Sequence, residues 1–484
     1  LTGERYARDV TTDVLSLNPQ SARTTSLGAD DRARRERGSV EGVAHDIGPW
    51  STLRLMAYAQ RSETAQDTDE VRANTTAACL SAAGSVRCER EARFRLEQRE
   101  VGLWAIGETR VTGFGLEHAI ATGAEGARVR YEETRDGRQT NLNTGAVTSV
   151  VGGEKLPTRD FPATDADRFG AFVQDRIETH AGKLEWIPAL RYDAYRLTPQ
   201  IDELFLAANG SRPVVSQRES AWSPRFGMLW HASPQWTLTG QLATGYRAPS
   251  ASDLNIGLSN LPAGYAVVPN PELRPERSVG LELGTRYAGP AIHAWATVFD
   301  TRYDDLILSR APLACPGDPA CIPGATGTFQ SQNISSARIY GLEAQLEWRF
   351  APQWLAHAAY AHLHGDDRSK DVPLNSIDPP KLVAGVAWRP SWGGLGAHVT
   401  YVREPERVDT STGIKFVPPA WTTLDLDAHW QLAPNIRIDA GLFNVTDRKY
   451  WLWSDVRGLT NVTSGFDRYT QPGRNASVAL RVTF

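Results

Sequence analysis

From Arg338 to Phe350 the sequence RIYGLEAQLEWRF sets Tyr340, Leu342, Ala344, Leu346, Trp348 and Phe350 against Gly341, Glu343, Gln345, Glu347 and Arg349. A period of two with one dry side predicts a strand that is apolar on one face only. TLDLDAHWQL repeats the arrangement, with Leu424, Leu426, Ala428, Trp430 and Leu432 facing away from Asp425, Asp427 and His429. Ile436, Ile438, Ala440 and Leu442 then oppose Arg437 and Asp439, and ASVALRVTF opposes Ala476, Val478, Leu480, Val482 and Phe484 to Arg481. Short turns at Gly48-Pro49, Ala181-Gly182, Ser233-Pro234, Ala351-Pro352, Gly393-Gly394 and Ala433-Pro434 alternate with longer, charge-rich loops. Trp50, Trp186, Trp230, Trp236, Trp348, Trp354, Trp388, Trp392 and Trp430 all fall close to a short turn.

A soluble β-sandwich also alternates, so period two leaves the fold class open; turn lengths and aromatics narrow it. Tryptophans along one rim match the interfacial girdle of a membrane barrel, whose short turns and long loops lie on opposite sides. The competing reading makes them core residues that happen to sit near turns. Because a basic side chain at the lipid midplane costs roughly 2–4 kcal/mol, Glu343, Glu347, Asp425, Asp427 and Arg437 are expected to face the lumen. The expected fold is all-β, a transmembrane antiparallel β-barrel of roughly 18 strands in this chain and about 22 when complete. Residues 1–484 are then the C-terminal part of that barrel, with the plug domain and first strands expected outside the sequence.

Composition restrains this reading without changing it. The 484 residues carry a formal charge of −4, with 41% hydrophobic and 22% charged residues and no basic patch that would point to nucleic acid. No stretch approaches the ~18 uncharged apolar residues of a membrane-spanning helix. The opening LTGERYARDV has no initiator Met, basic n-region or apolar core, so a mature portion or a fragment is expected. Cys79 with Cys88 and Cys315 with Cys321 form two close pairs in polar stretches, which predicts two disulfides and an oxidising compartment; unbridged thiols are the alternative.

Several segments resemble the TonB-dependent outer-membrane receptors and, within them, the haem/haemoglobin receptor class. SPRFGMLWHASPQWTLTGQLATGYRAPSASDL is similar to the strand pair leading into the family's Phe-Arg-Ala-Pro box, here Tyr246, Arg247, Ala248 and Pro249. VPNPELRPERS is similar to its Asn-Pro-Asn-Leu box, here Asn270, Pro271, Glu272 and Leu273. PLNSIDPPKLVAGVAW, GLFNVTDRKYWLWSDVRG and the terminal Phe484 resemble late barrel segments, the last as the signal read by the barrel assembly machinery. The resemblance implies an outer-membrane location in contact with lipid, haem or a haem-carrying protein as surface ligand, and a TonB energy-transducing complex reached through an N-terminal region. Haem would be cargo, with no resident cofactor. A ferric-siderophore receptor and a passive barrel remain the alternatives.

Physically, Pro249, Pro269, Pro271 and Pro275 fix φ and disfavour helix before them, stiffening both stems of the 245–278 loop. Arg247 and Arg274 can fork onto carboxylates, bracing the stems or meeting an acidic ligand. The haem branch usually carries a histidine between the two boxes, and this chain has none there. Tyr265 is the remaining side chain in that interval with precedent as a haem-iron ligand. His362 and His364, on one face of a strand near its outer end, are the other candidates for haem or metal; a solvated strand end is the plainer reading. No nucleophile elbow, phosphate loop or zinc signature suggests an enzyme.

Overall fold

The computed structural model describes residues 2–13, 24–72, 86–151, 153–179, 182–210, 212–261, 264–411, 413, 415–459 and 466–483. Its long strands are β1 (Thr2–Asp13), β2 (Thr24–Ile47), β3 (Trp50–Arg72), β4 (Cys88–Gly113), β5 (Leu116–Asn141), β6 (Ala163–Thr179), β7 (Leu184–Gln200), β8 (Gln217–His231) and β9 (Trp236–Arg247). They continue as β10 (Glu276–Ala288), β11 (Ile292–Pro312), β12 (Gly327–Ala351), β13 (Trp354–Asp367), β14 (Lys381–Trp388), β15 (Gly393–Val402), β16 (Trp421–Ala433), β17 (Ile436–Phe443) and β18 (Asn475–Val482). The strand number matches the one expected from the turns. Each strand pairs antiparallel with the next, so the sheet is one long meander; with the short loop strands that join it, it has 22 strands. No helix among the described residues is long and apolar enough to cross a membrane.

Connections alternate strictly. Every even strand reaches the next through a short turn, as at Gly48-Pro49 or Phe114-Gly115, while every odd strand opens into a longer loop, such as 142–162, 201–216, 248–275 and 403–420. Two rims result, one trimmed and one elaborate. Many strands far exceed the roughly 9–11 residues that a tilted strand needs to cross lipid: β4 and β5 have 26 residues each and β12 has 25. Their upper halves therefore stand above the hydrocarbon and carry the loops.

Register fixes the two faces. Leu242, Leu281, Val298 and Leu342 are exposed large hydrophobics on neighbouring strands and pair in sequence, Leu242 with Leu281 and Val298 with Leu342. Period two then turns Glu343, Glu347, Asp425, Asp427 and Arg437 to the opposite, luminal face, as the sequence requires. Near the short-turn rim the outer face carries a chain of ring contacts, Trp348 to Phe350 at 5.4 Å, Phe350 to Trp354 and Trp354 to Trp388 each at 6.0 Å, and Trp388 to Trp392 at 5.7 Å. Trp50 lies on the same outer face, its ring against Gly107, which register pairs with Leu53 and Thr122 on the side of Leu103 and Val173.

The densely buried apolar residues sit among the loops rather than in the barrel wall. One cluster joins Leu197, Ala251, Leu254, Leu273 and Ile307; another joins Ile256, Leu258 and Val267. The loop rim is thus a packed cap that can hold a shaped site. Cys315 and Cys321 form a disulfide in the loop between β11 and β12. Cys88 is disulfide-bonded as well, whereas Cys79 and Phe484 lie outside the described residues.

The two-faced register has a direct test. Leu283→Arg, on the outer face beside Val298, is expected to destabilise the lipid-inserted barrel by roughly 2–4 kcal/mol, whereas Glu343→Arg on the lumen face should be near neutral. Urea titration in lipid vesicles measures both; equal costs would put the faces the wrong way round.

Candidate functional site

Both sequence boxes act as stems of the 248–275 loop. Arg247 is paired in register with Glu276 across β9 and β10, and its guanidinium forks onto that carboxylate, with Nε donating to Oε2 at 2.5 Å and Nη2 to Oε1. Glu276 is buried and its Oε1 also accepts the Ile307 backbone N–H at 2.8 Å, so one carboxylate ties three strands. Pro249 is fully buried, and Ser250 caps a short helix, α1 (Ala251–Asn255), through a capping box with Asp253. Asp253 in turn accepts from Ser309 Oγ at 2.9 Å. The equally buried Asn255 accepts from Val215 N–H and donates to its carbonyl, at 2.9 and 3.0 Å, fastening the neighbouring 201–216 loop.

The second box mirrors the first. Asn270 donates from Nδ2 to the Ser331 carbonyl at 2.8 Å and accepts the Glu272 N–H at 3.0 Å. Leu273 is in the buried cluster, and Arg274 is ion-paired with Asp305 at 2.5 Å while its backbone clasps Asn333. Between the boxes, Leu258–Asn260 and Tyr265–Val268 form a hairpin whose second strand runs parallel to Gly327–Gln330 of β12. Tyr265 is half-buried there and, like Phe329, packs against the Ile256 cluster.

Under the first stem the lumen wall opens into a cavity of about 730 Å³, lined by Tyr58, Tyr131, Tyr195, Tyr246, Trp104 and Arg247, with Arg168, Arg191, Glu100, Glu125 and Asp193 among them. Its volume lies within the roughly 300–1,000 Å³ usual for small-molecule sites. Arg168 donates to Glu100 at 2.6 Å, and Arg191 to Glu125 at 2.5 Å and Asp193 at 2.7 Å. Tyr58 donates to Glu100 at 2.8 Å. Its ring lies flat across Gly102, where a Cβ would stand 2.6 Å from it; only glycine leaves the wall room for that ring. The Tyr246 hydroxyl is buried with no partner among the described residues. Aromatic faces for a planar ligand and guanidiniums for its acidic groups are the chemistry such a wall offers.

The sequence-selected residues are distributed over separate surfaces. Tyr246, Arg247 and Pro249 border the cavity; Tyr265 belongs to the hairpin above. His362 pairs with Leu342 and His364 with Tyr340, which sets both imidazoles on the outer face at the top of the apolar band, with His364 stacked on Tyr340 at 5.2 Å. A groove there joins them to Leu281, Leu283 and Val298. Tyr58, Tyr131, Tyr195, Arg168 and Arg191 escaped sequence reading, because single luminal side chains on separate strands carry no spacing signal until the register is known.

A second polar centre anchors the loops beside this cavity. Arg135 bridges Glu154 and Asp160, at 2.7 and 3.0 Å, and Arg159 pairs with Asp202 at 2.7 Å. Glu133, far above the lipid-crossing part of β5, is 1% exposed and accepts the Asp160 N–H at 2.7 Å, with Oε1 unpartnered among the described residues. Burial, helped by Asp160, pushes its carboxyl up to about 8. A carboxyl raised when folded holds a proton that the unfolded chain has released, so stability falls as pH rises from about 4.5 to about 8. Amide exchange at Arg135 and Thr158, which exchange backbone hydrogen bonds at 2.9 and 2.8 Å, should lose protection over that window after correction for intrinsic rates, and Glu133→Gln should flatten the profile. Separately, Arg247→Ala leaves Glu276 buried without its fork and should lower stability by roughly 1–3 kcal/mol, with proteolysis appearing first in 248–275.

Comparison with known proteins agrees with this architecture. Residues 2–445 match the family described as TonB dependent receptor-like, beta-barrel. Among curated relatives, the iron-regulated outer membrane virulence protein of Vibrio cholerae (strain O395) is 26% identical over 306 residues, 57% of this chain and 45% of that one. Hemoglobin-haptoglobin utilization protein B of Neisseria meningitidis serogroup C is 25% identical over 353 residues, 64% of this chain and 42% of that one. The chain thus spans less than half the length of these relatives. Among solved structures, the copper transporter OprC superimposes with a TM-score of 0.64 at 14% identity over 100% of this chain and 80% of that one. The siderophore receptor PirA of Acinetobacter baumannii gives 0.59 at 13% identity, over 100% and 78%. A meander barrel with one elaborate rim, matched along nearly its whole length, places this chain in the TonB-dependent receptor β-barrel family of the outer membrane.

Proposed function

We propose that this chain is the barrel part of an outer-membrane importer that captures haem, free or on a carrier protein, at its loop rim. The observation that carries the reading is the luminal cavity beneath the first box. Its four tyrosines supply aromatic faces and phenol oxygens, the latter a known type of haem-iron ligand; Arg168 and Arg191 supply charge for two propionates. The hemoglobin-haptoglobin name of the Neisseria relative lends support. In this reading the braced stems hold the loop above the cavity, and Tyr265 on the hairpin meets the ligand first. Energy for passage inward comes from a TonB complex acting through parts of the receptor beyond this barrel. The protein binds and moves its ligand without changing it.

A ferric siderophore is the second reading, favoured by one specific feature: no imidazole is among the described residues that line the cavity, and arginine with tyrosine equally suits an anionic phenolate or catecholate chelate. A haemin titration of the refolded chain in detergent, followed at the Soret band, separates the two. Haem import requires a saturable shifted band that weakens at least tenfold in Arg168→Ala/Arg191→Ala and loses its phenolate character in a tyrosine variant, Tyr265→Phe or one of the cavity set. No saturable band, with tight binding of a ferric catecholate instead, would replace haem by a siderophore.

A further inference from the structure

On the luminal face of β13 to β16, below the cavity and nearer the short turns, two histidines meet across a glycine. Register sets His357 opposite Gly385 and Gly385 opposite His398. A Cβ on Gly385 would stand 2.5 Å from His357 Cε1 and 2.7 Å from His398 Nδ1, so both rings occupy the space that any other residue would fill. They approach with His357 Nε2 3.3 Å from His398 Nδ1. The far nitrogen of His398, Nε2, is 2.5 Å from Asp427 Oδ1.

This arrangement fixes the protons. With Nε2–H of His398 held by the Asp427 carboxylate, Nδ1 carries a lone pair, and that lone pair faces His357 Nε2. Two imidazole nitrogens bound to one tetrahedral zinc at about 2.0–2.1 Å lie about 3.3 Å apart, the separation already present here. A carboxylate on the distal nitrogen of a ligating histidine is the usual outer-shell partner, setting the tautomer and raising the basicity of the ligand. Nearby charge is complementary too, since Glu347 stands opposite His357 and Asp425 opposite His398.

We propose that His357 and His398 form a binding site for a divalent cation of the zinc type in the barrel wall, with Asp427 as the positioning residue of His398. The cation replaces the proton between the two nitrogens. Among the described residues no group of three or more His, Cys, Asp or Glu side chains is arranged to hold one metal ion, so the site supplies two protein ligands and leaves its other positions open to the lumen. Such a site is a stop on the lumen wall for a cation or a cation-bearing solute, rather than a closed structural centre. It stands independently of the haem reading.

The test is equilibrium dialysis of the refolded full chain against Zn²⁺ alone, with bound metal measured directly and folding checked by heat-modifiable electrophoretic mobility. The parent should bind a single Zn²⁺ saturably. His357→Ala and His398→Ala should abolish that binding, Gly385→Ala should abolish it by displacing the rings, and Asp427→Asn should weaken it about 10–100-fold. His362→Ala, on the outer face, should bind as the parent does. Co²⁺ in place of Zn²⁺ should give visible bands of tetrahedral nitrogen coordination that vanish in the same variants, a signature that a merely structural role for Asp427 would not move. Should an alanine variant fail to fold, His357→Gln and His398→Gln supply the reading. A parent without a saturable Zn²⁺ site, or a folded double variant that retains it, would overturn the proposal.

Discussion

Lipid offers no hydrogen-bond partners, so every backbone N–H and C=O that crosses it must be satisfied by another strand. The whole molecule follows from that constraint. Consecutive antiparallel pairing meets it with the shortest connections, and pairing in turn fixes register. Period two then sorts side chains without further instruction: Leu242, Leu281, Val298 and Leu342 meet lipid, while Glu343, Glu347, Asp425 and Asp427 line water.

Because the wall is one layer thick, it has no interior of its own to pack. Dense burial moves to the loop rim, where the 201–216 and 248–275 loops share the cluster of Leu197, Ala251, Leu254, Leu273 and Ile307. The proline boxes make sense on this footing. Arg247 on Glu276 and Arg274 on Asp305 hold the two stems to their strands, and Asn255 and Asn270 satisfy backbone groups that an irregular loop leaves open. A second assembly does the same across the rim, where Trp453 donates to the Asn375 carbonyl and Asn375 clasps Asp409. The late segments PLNSIDPP and KYWLWSDVRG are therefore parts of one cap.

Much of the fold was legible because its signals are local. Alternation in RIYGLEAQLEWRF, tryptophans near turns and the spacing of short and long connections each lie within a few residues of one another, and together they gave strand number and phase. The site was less legible, since what makes it is the meeting of distant strands. Tyr58, Tyr131 and Tyr195 come together across β3, β5 and β7, and His357 meets His398 across β14. His362 and His364 illustrate the converse: a conspicuous pair in sequence, which register turns outward beside Tyr340 and Leu342.

What the barrel presents to an arriving solute is therefore a braced rim above a wall of tyrosine and arginine, and that wall is the proposed seat of the ligand. A structure of the refolded chain saturated with haemin tests it most directly. The porphyrin should lie between the cavity tyrosines, with its propionates toward Arg168 and Arg191. Haemin seated instead in the outer groove of His362 and His364, or no ordered haemin at all, would contradict it.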